Sequence, residues 1–203
     1  MKLANITAIV NDIHKSKLSE ESFAPNWSDL NYLYETVIET EPVNILEYGS
    51  GYSTLAMWAA LDELTKTVHK PPIRPCIMAL ETDPYWYVAN RRRLMDHAYP
   101  DGVENKTVLF DIIWTTVRNY SLMGLKYNYN PMMSPDFVYV DGPPLVGDRT
   151  IVFDVFEIHP LPLTFVVDGR NDQVALMTTM LGIAYDKDQN DKDFRTTFRR
   201  KEQ

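Results

Sequence analysis

The chain is 203 residues long, 45% hydrophobic and 24% charged, with 28 acids against 20 lysines and arginines and a net charge of −8. That length suits one domain with a single large core, and the composition is that of a folded globular protein. The acidic balance excludes a protein whose main task is gripping a nucleic-acid backbone, and no run approaches the roughly 18 apolar residues that span a bilayer.

The amino terminus, MKLANITAIVNDIHKSK, meets Asn5, Asn11 and Asp12 before any long apolar stretch, so it does not make a signal peptide and the cytoplasm is the expected compartment. A helix is expected within this stretch. Next, NWSDLNYLYETVIET offers Asn26 and Ser28 as caps, then Leu30, Leu33, Tyr34, Val37 and Ile38 at helical spacing, which predicts a helix covering one face of a sheet. Four apolar runs that each end in an acid then recur along the chain: VNILE (Glu47), CIMALE (Glu81), DFVYVD (Asp141) and LTFVVD (Asp168). A fifth, TVLFD (Asp111), fits less cleanly. Continuous apolar runs suit strands buried on both faces, the habit of parallel sheets. Between them, STLAMWAALDEL from Ser53 to Leu64 predicts a helix, and a second opens at Thr82 or Asp83 with Pro84 in its first turn. Weaker helices are expected over 147–158 and 172–181, and loops over 65–75 and 128–135. Strands alternating with helices indicate an α/β, Rossmann-like, three-layer fold with a mostly parallel central sheet and right-handed crossovers.

In such a sheet ligands bind beyond the carboxyl ends of the strands, so the terminal acids are expected to rim one crevice. In ILEYGSGYST, the residues Glu47, Gly49, Ser50, Gly51, Ser53 and Thr54 suit either a bare backbone beneath a nucleoside or a tight strand-to-helix turn. Thr54 occupies the place where a dinucleotide fingerprint wants a third small residue, which disfavours NAD and FAD, and Gly-Lys-Ser/Thr is absent from the sequence. Glu81 can accept hydrogen bonds from both ribose hydroxyls of an adenosine. Tyr85 and Trp86 suit core packing ahead of an adenine cover. The run Arg91-Arg92-Arg93 is expected on a solvated helix face, and Cys76 in the core. The four histidines show no metal spacing, and His159 is the one histidine to consider as a base.

ILEYGSGYST, ALETDP and DFVYVDGPP, in that order and spacing, resemble the S-adenosylmethionine-dependent methyltransferases with a Rossmann-like sheet, across about residues 27–181. VDGPP is similar to the group with a VDGP-type fourth strand, which includes plant glucuronoxylan O-methyltransferase-like proteins and bacterial sugar or small-molecule methyltransferases. The resemblance implies that the loop of Glu47, Gly49 and Gly51 lies against the methionine part of the cofactor, with the acid helping to hold its amino group. It implies a ribose-binding Glu81, an Asp111 near the adenine amine, and an Asp141 beside the departing methyl group. Asp141 is then the candidate base, with Asp168 one strand away, and Gly142, Pro143 and Pro144 shape an acceptor pocket. This is not the Asp-Pro-Pro-Tyr pattern used on base amines, so nucleic acid is again disfavoured.

The implied activity is methyl transfer to a hydroxyl of a small molecule or sugar, the alternative being a catalytically silent nucleoside-binding or assembly protein. Some O-methyltransferases hold a divalent metal at these two strand ends, and Asp168, Asn171 and Asp172 lie nearby; Gly169 displaces the second ligand of that pattern, so a metal is not favoured. The expected organisation is one domain over 1–203, with an extension (1–26), a core (27–181) and a tail or edge strand (182–203). DFRTTFRR can supply one of the family's last two strands. A sheet shortened at its C-terminal edge, or one completed by a partner chain in a homodimer, follows. The acceptor cap is minimal, apart from the loop around Tyr127 and Tyr129.

Overall fold

A computed structural model of the chain describes residues 26–67, 74–98, 108–122, 124–143, 150–190 and 195–202. In chain order the elements are α1 (Trp27–Thr40), β1 (Asn44–Tyr48), α2 (Tyr52–Thr67), β2 (Cys76–Glu81), α3 (Pro84–Ala98), β3 (Leu109–Trp114), β4 (Val117–Asn119), β5 (Gly124–Tyr127) and β6 (Phe137–Val140). There follow β7 (Ile151–Val152), a 3-10 helix (Phe153–Glu157), β8 (Thr164–Asp168), α4 (Asn171–Leu181), β9 (Tyr185–Asn190) and β10 (Arg195–Arg200). The helix expected near the amino terminus, Pro144 and part of the 65–75 loop lie outside the described residues.

Seven strands form the central sheet in the order β3-β2-β1-β6-β8-β10-β9, the first five parallel and β10 antiparallel to both neighbours. This is the expected α/β, Rossmann-like methyltransferase fold. Because side chains alternate along a strand, Phe137 and Tyr139 of β6 face the layer of α1, α2 and α3, while Val138 and Val140 face α4 and the elements around β5. The first layer is closed by Leu33, Val37, Leu55, Met57 and Leu61, all at most 1% exposed. Local chemistry sets the helix starts. The Asn26 side chain accepts from Ser28 N–H at 3.1 Å, and Asp83 Oδ1 accepts from Tyr85 and Trp86 N–H at 2.8 and 3.2 Å.

Several expectations are corrected. The 147–158 segment is not a helix: where described, its β-branched Ile151 and Val152 form a short strand that pairs with β5, and a 3-10 turn follows. With β4 they make a second, three-stranded sheet over one face of the main sheet, where a crossover helix was expected. Asp111 does not end its strand. The apolar run resumes as Ile112-Ile113-Trp114, and on an edge strand one charged residue can point to solvent without breaking the ladder, so Asp111 pairs with Met78 while Trp114 lies level with Glu81. The sheet is not shortened at its C-terminal edge either. β10 lies between β8 and β9, with Phe198 fully buried, and β9 takes the edge with its charged residues exposed. Completion by a partner chain is therefore not needed. The basic run is split: Arg91 and Arg92 are exposed, but Arg93 is 4% exposed. Among the described residues, no helix is long and apolar enough to cross a membrane.

Candidate active site

The chain leaves β1 for β2 and β3 on one side and returns to β6 on the other, so β1 and β6 flank the switch point at which open α/β sheets bind ligands. The loops after these two strands touch backbone to backbone. Asp141 and Gly142 N–H both donate to Tyr48 O, at 3.1 and 2.5 Å, and a Cβ on Gly142 would lie 2.5 Å from Gly49 Cα. Gly49, at φ 101°, has equally little room: its Cβ would lie 2.7 Å from Gly142 N. Gly51 differs, because a Cβ there would meet only Ser53 Oγ, at 3.7 Å. Of the two glycines in this loop, the first permits the contact of two loops and the second leaves open space.

That space is the end of a crevice of about 380 Å³, lined by the 49–53 loop, Glu81, Trp86, Tyr139, Asp141, Asp168 and one end of α1. Glu47 does not reach it. Fully buried behind the loop, its carboxyl group is bonded to Ser53 Oγ (2.5 Å) and Thr54 Oγ1 (2.6 Å), and Thr54 Oγ1 in turn accepts from Gly51 N–H (3.0 Å). Burial outweighs these two hydroxyl bonds and pushes the Glu47 carboxyl up from 4.5 to about 8, with Asp141 and Glu81 adding to the rise. Glu47 and Thr54 thus hold the shape of the loop, and only Ser53 of this trio lines the crevice.

Glu81 is 4% exposed. Its Oε1 accepts from Thr82 and Asp83 N–H at 2.7 and 2.9 Å, and Oε2 accepts from Ser50 Oγ at 2.7 Å. A carboxylate has about four acceptor sites, so one remains, on Oε2. Burial raises the Glu81 carboxyl above its ordinary value, against these three bonds. Asp141 opens to solvent in the crevice but is set deeply among protein atoms. That setting, then the neighbouring Asp168 carboxylate, pushes it up from 3.8 to about 6, while Arg170 acts in the opposite direction. Asp168 accepts from Tyr139 Oη at 3.1 Å.

Two features went unseen in the sequence. Arg170, 5% exposed, donates from Nε and Nη2 to Asp141 O (3.1 and 2.5 Å), from Nη2 also to Pro143 O, and from Nη1 to Thr150 O (3.1 Å). From α1, Asn26, Asp29, Leu30 and Leu33 wall the crevice, and Arg195 of β10 pairs with Asp29 at 3.0 Å. Four carboxylates (Asp29, Glu81, Asp141 and Asp168) line it, with no lysine or arginine among the described lining residues.

Other expected participants lie elsewhere. Asp111 is exposed, three residues short of the end of β3. Tyr127 is no lid: it is buried, its ring tilted against that of Tyr48 at 5.2 Å between centroids, with its hydroxyl beneath Gly142. His159 stands on a larger groove of about 770 Å³ formed with the 128–135 loop, which contains none of Glu47, Glu81, Asp141 and Asp168. A metal does not fit the donors present. Asp172 is turned to Thr150 Oγ1 (2.8 Å), the guanidinium of Arg170 backs Asp141, and no group of three His, Cys, Asp or Glu among the described residues is arranged to hold one.

The strand order, the antiparallel β10 and the crevice at the switch point define a methyltransferase-type Rossmann-like fold. No protein-family model and no curated protein sequence matches the chain. Solved structures do. A methyltransferase from Geobacter sulfurreducens is 12% identical over 97% of this chain and 89% of its own, with a TM-score of 0.57. A putative caffeoyl-CoA O-methyltransferase from Staphylococcus aureus is 13% identical over 98% and 100%, with a TM-score of 0.54. The SAH-bound methyltransferase PaMTH1 from Podospora anserina is 14% identical over 99% and 88%, with a TM-score of 0.53.

Proposed function

We propose that the chain is an S-adenosylmethionine-dependent methyltransferase that methylates a hydroxyl of a small molecule or sugar. The observation that carries this reading is the crevice at the switch point, lined by four carboxylates and no lysine or arginine among the described residues, which suits a cationic sulfonium ligand. The SAH-bound structure of the same fold supports it. When bound, the cofactor supplies an electrophilic methyl group on a sulfonium sulfur. The chain's own groups bind, orient and move a proton. The remaining acceptor site of Glu81 Oε2 takes one ribose hydroxyl, rather than both, as long as Ser50 keeps its bond. Ser53 Oγ, which directs its hydrogen to Glu47, would accept from the amino group, and the open side of Gly51 would admit the methionine part.

Asp141 accepts the proton of the acceptor hydroxyl, with Asp168 beside it. With its carboxyl raised to about 6, Asp141 is ionised at neutral pH and more basic than an ordinary aspartate. The VDGPP turn supports a hydroxyl acceptor through the likeness of its sequence to sugar and small-molecule enzymes. Calorimetry with S-adenosylhomocysteine tests the cofactor half: a folded chain that shows no binding at high micromolar ligand overturns it. Asp141→Asn tests the chemical half. Turnover on a hydroxylated acceptor should fall by about 10²-fold or more while S-adenosylhomocysteine still binds, and unchanged turnover removes Asp141 as the base.

A further inference from the structure

Behind Glu81 runs a chain of hydrogen bonds that its own contacts do not require. Arg93 Nη1 donates to Asn90 Oδ1 at 2.9 Å, Asn90 Nδ2 to Ser50 Oγ at 3.0 Å, and Ser50 Oγ to Glu81 Oε2 at 2.7 Å. Arg93 is 4% and Asn90 1% exposed, and the guanidinium lies 5.0 Å from the Tyr52 ring and 5.8 Å from the Trp86 ring. A guanidinium can only donate. Asn90 must therefore turn its carbonyl oxygen to Arg93 and its NH₂ to Ser50, because the flipped amide would set two donors against each other. Ser50 Oγ then accepts a hydrogen bond from Asn90 and directs its own hydrogen to Glu81. A buried cation fixes the polarity of every bond in the chain.

We propose that Arg93 and Asn90 are positioning residues for the ribose site: acting through Ser50, they hold Glu81 with a single acceptor site open and so limit it to one of the two ribose hydroxyls. This rests on the reading of the crevice as an S-adenosylmethionine site. Asn90→Asp separates positioning from folding. The new carboxylate gains an ion pair with Arg93, so the melting temperature should not fall. It can no longer donate, however, and draws the Ser50 proton to itself, leaving Glu81 without that bond.

Calorimetry of the full chain with S-adenosylhomocysteine and with its 2′-deoxy and 3′-deoxy analogues provides the test. For N90D, Glu81 Oε2 gains a second open site and can take both ribose hydroxyls, so the deoxy analogue that the wild type binds as well as S-adenosylhomocysteine should now bind about tenfold more weakly than it. The double variant N90D/S50A should be no weaker than S50A alone, as expected for residues acting in series. Arg93→Lys, which keeps a donor, should depart less from the wild-type ratios than Arg93→Met. Wild-type affinity and ratio in N90D, or equal weakening of all three ligands, overturns the inference alone. Absence of binding by the wild-type chain overturns the cofactor reading and the inference with it.

Discussion

Gly49, Gly51 and Gly142 separate two uses of glycine. Gly142→Ala would drive a methyl group to 2.5 Å from Gly49 Cα and 3.1 Å from Tyr127 Oη, and the Gly49 backbone on one side with the buried Tyr127 on the other leaves little room to yield. A loss of about 1–3 kcal/mol in a denaturant melt is expected. Gly51→Ala meets no backbone, so stability should hold while affinity for S-adenosylhomocysteine falls; a Gly51→Ala chain that is destabilised as much as Gly142→Ala would contradict the distinction. Glu47 gives a second prediction at this scale. Its carboxyl is at about 8 in the folded chain against an ordinary 4.5, so between these values the folded state holds a proton that the unfolded state has released. Its contribution to stability is full below about 4.5, declines as the pH rises, and is gone above about 8. Thermal melts across this range should show the wild type losing stability on the alkaline side, with a flatter profile for Glu47→Gln, whose amide does not titrate. Equal slopes would place the burden on other groups.

Among the elements, the turn after β6 is held by a residue of another loop. Arg170 bonds the carbonyls of Asp141, Pro143 and Thr150, tying the start of α4 to the candidate base. Arg170→Met removes the donor for all three and should cost about 3 kcal/mol in a chemical melt, with a larger loss of turnover than of cofactor affinity. Equal losses would mean that the clamp supports the whole crevice. Nothing local in VVDGRND marks Arg170 for this task, since its acceptors come from segments 20 to 29 positions away. The β1, β2, β6 and β8 strands and their terminal acids were legible because unbroken apolar runs report burial on both faces. α1, α2 and α3 were legible from periodicity and caps. β4, β5 and β7 are two to four residues long, too short for periodicity to declare them, and β9 carries one buried side chain, Tyr185, amid charges. Arg93 sits in a basic run that the sequence alone assigns to solvent, and the partners of Asp29 and Asn90 come from distant segments, Arg195 of β10 and Ser50 of the loop after β1.

At the scale of the molecule, the last strand reaches the chemistry. β10 lies inside the sheet, where its Arg195, 3% exposed, pairs with Asp29 on α1 at 3.0 Å and donates to Ser28 O at 3.2 Å. Asp29 lines the crevice and, as a negative charge, adds to the rise of the Asp141 carboxyl. Arg195 therefore offsets part of the field that makes Asp141 hold its proton, from a residue more than fifty positions later in the chain. Arg195→Met takes that cation from the part-exposed Asp29 and should cost about 1.5–3 kcal/mol. It should also move Asp141 further up. A base works only when ionised, so activity that appears as the pH rises through about 6 in the wild type should appear at higher pH in the variant. Phe198→Ala supplies the contrast on the same strand: it opens a cavity at a fully buried site and should cost about 3–5 kcal/mol, but it removes no charge. Profiles of kcat/KM against pH, recorded where both variants remain folded, should show the acid limb displaced in Arg195→Met and unmoved in Phe198→Ala. Displacement in both would assign the effect to general loosening of the sheet rather than to the charge that β10 brings to α1.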